Sequence, residues 1–84
     1  MYRIVPDDEV LDQVADLPAE GLAAFRELLK VLELVPWRGH PQHVAKPDSE
    51  VRWMPFGPGD VGQVVYLVLD DVAEVHLLLV QWIG

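Results

Sequence analysis

The C-terminal third of the chain contains two long runs of aliphatic and β-branched residues, and these runs restrict the fold more than any other feature. The first run, Val61 to Leu69, has almost no polar interruption, and the second, Glu74 to Ile83, follows the turn signal Asp70-Asp71. Runs of this composition between turn residues are typical of β-strands. Because apolar residues occupy both alternating positions, we expect a sheet with two apolar faces.

Two more strands are predicted from shorter segments. Tyr2 to Val5 is β-branched and aromatic, and Pro6 ends it, because proline rarely continues a strand interior. Val51 to Phe56 is followed by Gly-Pro-Gly-Asp at positions 57–60, which is a strong turn signal. The last three strands are therefore joined by short turns and form a meander.

Two amphipathic helices are predicted between the first and second strands. Asp7 can cap the first helix, Pro18 begins the second after almost no loop, and Pro36 ends it. The first helix has an apolar stripe at helical spacing, formed by Val10, Leu11, Val14 and Leu17. The second helix has a wider stripe, formed by Leu22, Phe25, Leu28, Leu29, Val31 and Leu32.

The order of elements predicts an α+β fold of the type β-α-α-β-β-β, with the helical hairpin packed on one face of an antiparallel sheet. A chain of 84 residues has room for one hydrophobic core, so residues 1–84 are expected to form a single domain. Residues 35–50 are rich in proline and are predicted to form a surface loop. The sequence contains no cysteine, which excludes disulfides and thiolate chemistry.

The chain is acidic, with 14 Asp and Glu against 6 Lys and Arg and a net charge of -8. Because nucleic-acid affinity depends largely on Lys and Arg that neutralise phosphates, a nucleic-acid partner is doubtful. The longest apolar run, Val64 to Leu69, is far shorter than the ~20 residues that span a bilayer. The N-terminus also lacks a basic leader. We therefore expect a cytoplasmic protein without a membrane segment.

Local signals along nearly the whole chain occur in the order found in one family of small proteins. They are the opening strand Tyr2-Arg3-Ile4, the Leu17-Pro18 helix junction, Leu32 followed by Pro36 and Gly39, the strand start Val51-Arg52, and the apolar strands Val64 to Val68 and Val75 to Val80. At this chain length, they resemble the RelE/ParE superfamily, the toxins of bacterial type II toxin–antitoxin systems. The resemblance implies the fold given above and an antitoxin as partner.

The resemblance also implies which residues would carry activity. Ribosome-dependent nucleases of this family are basic proteins that cut mRNA in the ribosomal A site with Arg, Lys and a C-terminal Tyr or His. Here Arg52 matches the first arginine of the strand pattern, but Met54 and Gln63 stand where further basic residues are usual. Gln-Trp-Ile-Gly at positions 81–84 replaces the usual His-Arg tail. We therefore expect a divergent member that has lost most nuclease residues, with mRNA endonuclease activity through Arg52 as the alternative.

The predicted loop after the second helix holds a small group of cations near Arg52. Its members are Arg38, His40, His43 and Lys46. This patch is a candidate contact for an anion or for an acidic segment of a partner, and the alternative is an ordinary solvated loop. His40 and His43 have metal-ligand spacing, but a site would need a third ligand such as Asp48. We predict no metal and no cofactor.

The apolar second face of the sheet is the feature most relevant to function. The two helices can cover one face only, and a large exposed apolar patch usually marks an interaction site. The residues predicted to contribute to this interface are Tyr66, Leu78, Val80 and Trp82. We expect binding to an antitoxin or self-association as a dimer, unless the loop over residues 35–50 folds back and covers the face.

Overall fold

The structure, a computed structural model, describes residues 1–41 and 50–83. The helices in this part of the chain are α1 (Asp8–Ala15) and α2 (Ala19–Leu34), and the strands are β1 (Arg3–Pro6), β2 (His40–Pro41), β3 (Val51–Phe56), β4 (Gly62–Leu69) and β5 (Glu74–Trp82). All predicted helices and strands are present, and β2 is an additional short strand inside the predicted loop. No helix in the described ranges is long and apolar enough to cross a membrane.

The strands form one sheet in the order β1-β5-β4-β3-β2. The predicted meander of β3, β4 and β5 is confirmed, and β2 adds to β3 in antiparallel orientation. β1 lies parallel to β5, with Ile4 opposite Val75, so the sheet is mixed. Strand directions alternate through the meander, so β3 and β5 run in the same direction. The helical hairpin connects the end of β1 to β3, and β1, β3 and β5 all run in the same direction.

Both helices pack on the same face of the sheet, and the core lies between them and that face. Phe25 of α2 is buried, and its ring centroid lies 5.6 Å from that of Phe56 in β3. The prediction that Phe25 belongs to the core face of its helix is confirmed. The other buried apolar side chains of the core are Val10, Leu28, Leu32, Val64, Tyr66, Val68, Val75, Leu77 and Val80.

Helix α1 is rotated relative to its predicted stripe. Val10 is fully buried, whereas Leu11 is 56% exposed, so the expected place of Leu11 on the core face is wrong. Neighbouring residues of a helix point about 100° apart, and a broad stripe lets so short a helix turn either of its sides to the sheet. In the orientation found, Gln13 Oε1 accepts a hydrogen bond from the backbone N–H of Val80 at 2.7 Å.

Strand β5 contains a bulge. The consecutive β4 residues Val65 and Tyr66 lie opposite Leu79 and Leu77, which leaves Leu78 as an extra residue. An extra residue reverses the alternation of faces beyond it. The end of β5 therefore presents its even-numbered residues to the helices, although the start of the strand presents its odd-numbered ones.

This arrangement corrects the predicted interface. Tyr66 and Val80 are buried in the core, and the Trp82 ring packs inward with its centroid 5.9 Å from that of Phe56. Leu78 lies at the bulge and is partly exposed. The placement of Tyr66 and Val80 on an exposed interface is wrong, because the helices cover the face on which both lie. Trp82 lies on the same face and is partly exposed there.

The opposite side of the sheet, which we call the open face, carries the alternate residues of β3, β4 and β5. Its apolar centre is formed by Trp53, Val65, Leu67 and Leu79, all partly exposed. Within residues 1–41 and 50–83, the helices pack on the other side. A second apolar face therefore exists as expected, but it is built from different residues.

Candidate functional site

Arg52, the candidate catalytic residue, lies on the helix side of β3 opposite Tyr66 and is only 7% exposed. Its Nη1 donates hydrogen bonds to the carbonyl oxygens of Gly39 at 2.8 Å and Trp37 at 3.2 Å. The guanidinium carbon lies 4.6 Å from the centroid of the Trp37 ring, which is within cation–π range. The charge of Arg52 is thus directed at the backbone that follows α2.

Tyr66 holds the same backbone segment from β4. Its hydroxyl donates a hydrogen bond to the carbonyl oxygen of Pro36 at 2.7 Å, and burial raises the pKa of Tyr66 to about 12, so the hydroxyl remains a donor at neutral pH. A Cβ at Gly39 would lie 1.9 Å from this hydroxyl oxygen, so only glycine allows the approach. Trp37, Gly39, Arg52 and Tyr66 form a unit that we call the anchor cluster.

The anchor cluster extends to the turn between β4 and β5. The Trp37 indole N–H donates a hydrogen bond to Asp70 Oδ1 at 2.9 Å, and the Tyr2 hydroxyl donates to the same oxygen. The hydrogen bond from Tyr2 and then that from Trp37 hold the pKa of Asp70 below its usual value. These contacts tie three separate segments together: the residue that precedes β1, the segment after α2, and the turn before β5.

The predicted cationic patch is only partly described by the structure. Arg38 and His40 are exposed, and the ring centroids of His40 and Trp53 lie 4.6 Å apart. Arg52 is buried and does not extend the exposed part of the patch. His43 and Lys46 lie outside the described residues, as does Asp48. Among the residues that are described, no three His, Cys, Asp or Glu side chains are close enough to hold a metal ion.

The centre of the open face is an uncharged depression. Its volume is about 390 Å³, and its lining residues are Trp53, Gln63, Val65, Leu79 and Gln81. Gln63 pairs with Gln81, and Val65 pairs with Leu79, across β4 and β5. The depression therefore offers amide groups and apolar surface, and its lining residues carry no charge.

Three ionisable residues lie together at the edge of the open face near β1. His76 Nε2 lies 2.9 Å from Glu74 Oε1, and Arg3 pairs with the other oxygen of Glu74. The hydrogen bond with His76 and then that from Arg3 lower the pKa of Glu74.

The arrangement of the sheet and the helical hairpin matches two solved structures. The crystal structure of isolated E. coli RelE toxin superposes with a TM-score of 0.71 at 18% identity, covering 100% of this chain and 86% of that one. A chain of the archaeal RelE–RelB complex from Pyrococcus horikoshii OT3 gives a TM-score of 0.65 at 22% identity, covering 99% and 96%. The fold is that of RelE. No protein-family model and no curated protein sequence matches the chain.

The predicted RelE-like fold is therefore confirmed, and the positions named by the resemblance can be placed on it. Arg52 and Met54 both lie on the helix side of the RelE-like sheet, where Arg52 is buried and Met54 packs against the core. Gln63 lies on the open face. In the tail, Gln81 is exposed and Trp82 packs inward. The exposed members of this set carry no charge.

A second depression of the RelE-like domain was missed by the sequence reasoning. It lies between α2 and the end of β3 and has a volume of about 500 Å³. Its lining residues are Ala24, Glu27, Leu28, Val31 and residues 54–58. The sequence signal that could have indicated this depression is the width of the apolar stripe on α2. The stripe is broader than the surface that α2 buries against the sheet, so part of it remains accessible. We call this depression the α2–β3 groove.

Proposed function

We propose that this RelE-like domain is the toxin-like component of a toxin–antitoxin-type system and acts by binding a protein partner, with the nuclease residues largely lost. The observation that carries the proposal is the uncharged centre of the open face. Apolar groups there, at Val65 and Leu79, would stay partly exposed in a monomer, and such surface favours protein contact.

Cleavage of mRNA is less well supported. Binding and cleaving RNA needs cations that reach the phosphate and stabilise its developing charge. Arg52 is 7% exposed and donates to two backbone carbonyls, and Gln63 on the open face is neutral. A net charge of -8 further opposes the approach of RNA.

An antitoxin-type protein is the partner that we infer. One of the structures with the same fold is a RelE–RelB complex, which shows partnering for that protein. The open face also suits contact with an uncharged, partly apolar surface, because Trp53 contributes a partly exposed aromatic ring of the kind enriched at interfaces. Self-association through the same face is the second possibility.

The test is binding of the protein encoded next to this gene, measured by calorimetry with the full chain. We expect Leu79→Lys to weaken binding by about 30-fold or more, which corresponds to a hot spot of about 2 kcal/mol. Leu11→Lys introduces the same change at an exposed site on α1 and should bind like wild type. If both variants bind like wild type, the open face is not the interface. If sedimentation gives a dimer that Leu79→Lys dissociates, the partner is a second copy.

The endonuclease alternative has its own assay. Primer extension in a translating extract should show no cleavage at the A site. If wild type cuts mRNA there and a folded Arg52→Lys variant does not, the proposed binding role is wrong and the nuclease replaces it.

A further inference from the structure

The α2–β3 groove leaves apolar surface accessible on the helix side of the domain, away from the open face. Leu28, which lines it, is buried, while Ala24, Val31 and Met54 are partly exposed. Apolar exposure continues along α2 beyond the groove, where Leu34 is 65% exposed. The surface that remains open is therefore longer than the groove itself.

This surface has the dimensions of a helix–helix contact. Ala24, Glu27, Val31 and Leu34 follow one another at helical spacing, so they form one stripe along α2. The stripe is about 15 Å long at 1.5 Å per residue, which corresponds to about ten residues of a second helix lying beside α2.

A strand from a partner fits this place less well than a helix. β4 lies along one edge of β3, and on the other edge β2 pairs only with Trp53 and Arg52, so no described strand lies on that edge beyond Trp53. However, Pro55 has no N–H to donate, and the chain turns away at Gly57, where φ is +84°. A helix satisfies its backbone hydrogen bonds internally and needs only apolar contact from the groove.

The charges around the groove select the chemistry of the partner. Glu27 lines the groove, Glu20 lies two turns earlier on α2, and Asp60 closely follows the last lining residue; all three are exposed. Lys30 lies 3.2 Å from Glu27, but exposed pairs of this kind are weak and exchange easily. A second copy would bring a net charge of -8 against the same charge, whereas a basic helix brings complementary charge.

We propose that the α2–β3 groove binds an amphipathic helix of a partner protein, with an aliphatic face against Val31 and Leu28 and with Lys or Arg residues beside Glu27. This inference rests on the proposed function, because it assigns a second contact surface to the same partner. Burial of the aliphatic face supplies the affinity, and the acidic residues orient the helix and speed its association.

The probe is a labelled synthetic helix of about 15 residues, long enough to be helical on contact, with Leu at i, i+3, i+4 and i+7 spacing and Lys elsewhere. Its binding to the full chain is followed by fluorescence anisotropy. A scrambled peptide of the same composition controls for net charge, and a Leu/Glu helix controls for the apolar face. We expect both control peptides to bind at least about tenfold more weakly.

Two variants locate the binding site. Val31→Lys places a charge in the groove and should weaken binding at least about tenfold, while Glu27→Lys should weaken it about two- to fivefold, less so at high salt. The matched controls on α1 are Leu11→Lys and Glu9→Lys, which should bind like wild type. Thermal unfolding checks that each variant folds. If Val31→Lys does not fold, Glu27→Lys still tests the groove, because Glu27 is exposed and its replacement does not disturb the core.

The outcomes separate this inference from the proposed function. If the α1 controls weaken the peptide as much as the groove variants do, or if a dimer forms that Val31→Lys dissociates, the groove does not take a basic helix. If a natural partner is lost with Leu79→Lys but retained with Val31→Lys, the proposed function stands and the groove inference is wrong. If the peptide binds in the groove and no partner binds the open face, the groove inference stands and the proposed function is wrong.

Discussion

Replacing Arg52 with alanine tests whether this residue anchors the fold. The change removes two hydrogen bonds from a charged donor, to the carbonyls of Gly39 and Trp37, and the contact with the Trp37 ring. Hydrogen bonds to charged groups contribute about 1.5–3 kcal/mol each, and a desolvated cation–π contact about 2 kcal/mol. The desolvation of the buried guanidinium offsets part of this sum.

We expect the free energy of unfolding to fall by about 3 kcal/mol, because the two carbonyl oxygens lose their donor at about 1–3 kcal/mol each and the ring contact is lost as well. A domain of 84 residues has about 4–12 kcal/mol of stability in total. At about 4–8 °C per kcal/mol, the melting temperature should drop by roughly 12–24 °C. Arg52→Met, which keeps most of the volume but no donor, should lose nearly as much, because the two carbonyls lose the same hydrogen bonds.

Urea unfolding followed by tryptophan fluorescence measures this change, since Trp37 packs directly on Arg52. The matched control is Arg38→Ala, which removes an exposed arginine and should alter stability by less than about 0.5 kcal/mol. If Arg52→Ala unfolds at the same urea concentration as Arg38→Ala, the anchoring role is wrong. Loss of mRNA cleavage at unchanged stability would identify Arg52 as catalytic instead.

Three further substitutions test the core, the anchor cluster and the charged edge. Phe25→Ala should lower the free energy of unfolding by about 3–5 kcal/mol, and an unchanged urea midpoint would show that Phe25 is peripheral. Gly39→Ala should cost about 1–3 kcal/mol or more, because its Cβ would meet a buried hydroxyl oxygen at 1.9 Å; a wild-type melting temperature would contradict this contact. His76 and then Arg3 lower the pKa of Glu74 in the folded state below its ordinary value, so the contribution of Glu74 to stability is fully present above the pKa of the unfolded chain and is lost as the pH falls through the folded pKa. Thermal melts across this range should therefore show a smaller acid destabilisation for Glu74→Gln than for wild type, and equal slopes would refute the pairing.

The element order was predictable because it depends on local signals. Pro18 and Pro36 restrict the backbone on either side of α2, and the helix lies between them at Ala19–Leu34. The turn residues at 57–60 end β3 at Phe56, as predicted. Signals of this kind act over a few residues and do not depend on the rest of the fold.

The exposed face of the sheet was not predictable from the same patterns. Val64 and Val65 have identical side chains, yet Val64 is buried under the helices and Val65 lies on the open face. In β5 the bulge falls inside the run Leu77-Leu78-Leu79, where every position is equally apolar. Alternation alone cannot locate an extra residue in such a run, so the interface was assigned to the wrong side of the strand end.

The environment of Arg52 depends on contacts that are distant in sequence. Its hydrogen-bond partners Trp37 and Gly39 precede it by 15 and 13 residues, and the approach of Tyr66 to Gly39 depends on a missing Cβ. An arginine in a strand pattern is usually solvated, and the sequence contains no local signal that this one is buried. The match of Arg52 to a nuclease position therefore could not reveal its structural role.

This role of Arg52 changes how a RelE-like fold should be interpreted in this chain. A fold supports many functions, and activity has to be argued from the site. If Arg52 is needed to hold the backbone after α2, a RelE-like domain without nuclease activity would still need it, so its presence does not favour RNA cleavage. The surfaces that remain to decide function are the open face and the α2–β3 groove. The lining of the α2–β3 groove is mainly apolar, and the depression of the open face combines apolar side chains with two glutamine amides. Neither lining carries a cation, so both surfaces suit a protein better than a phosphate.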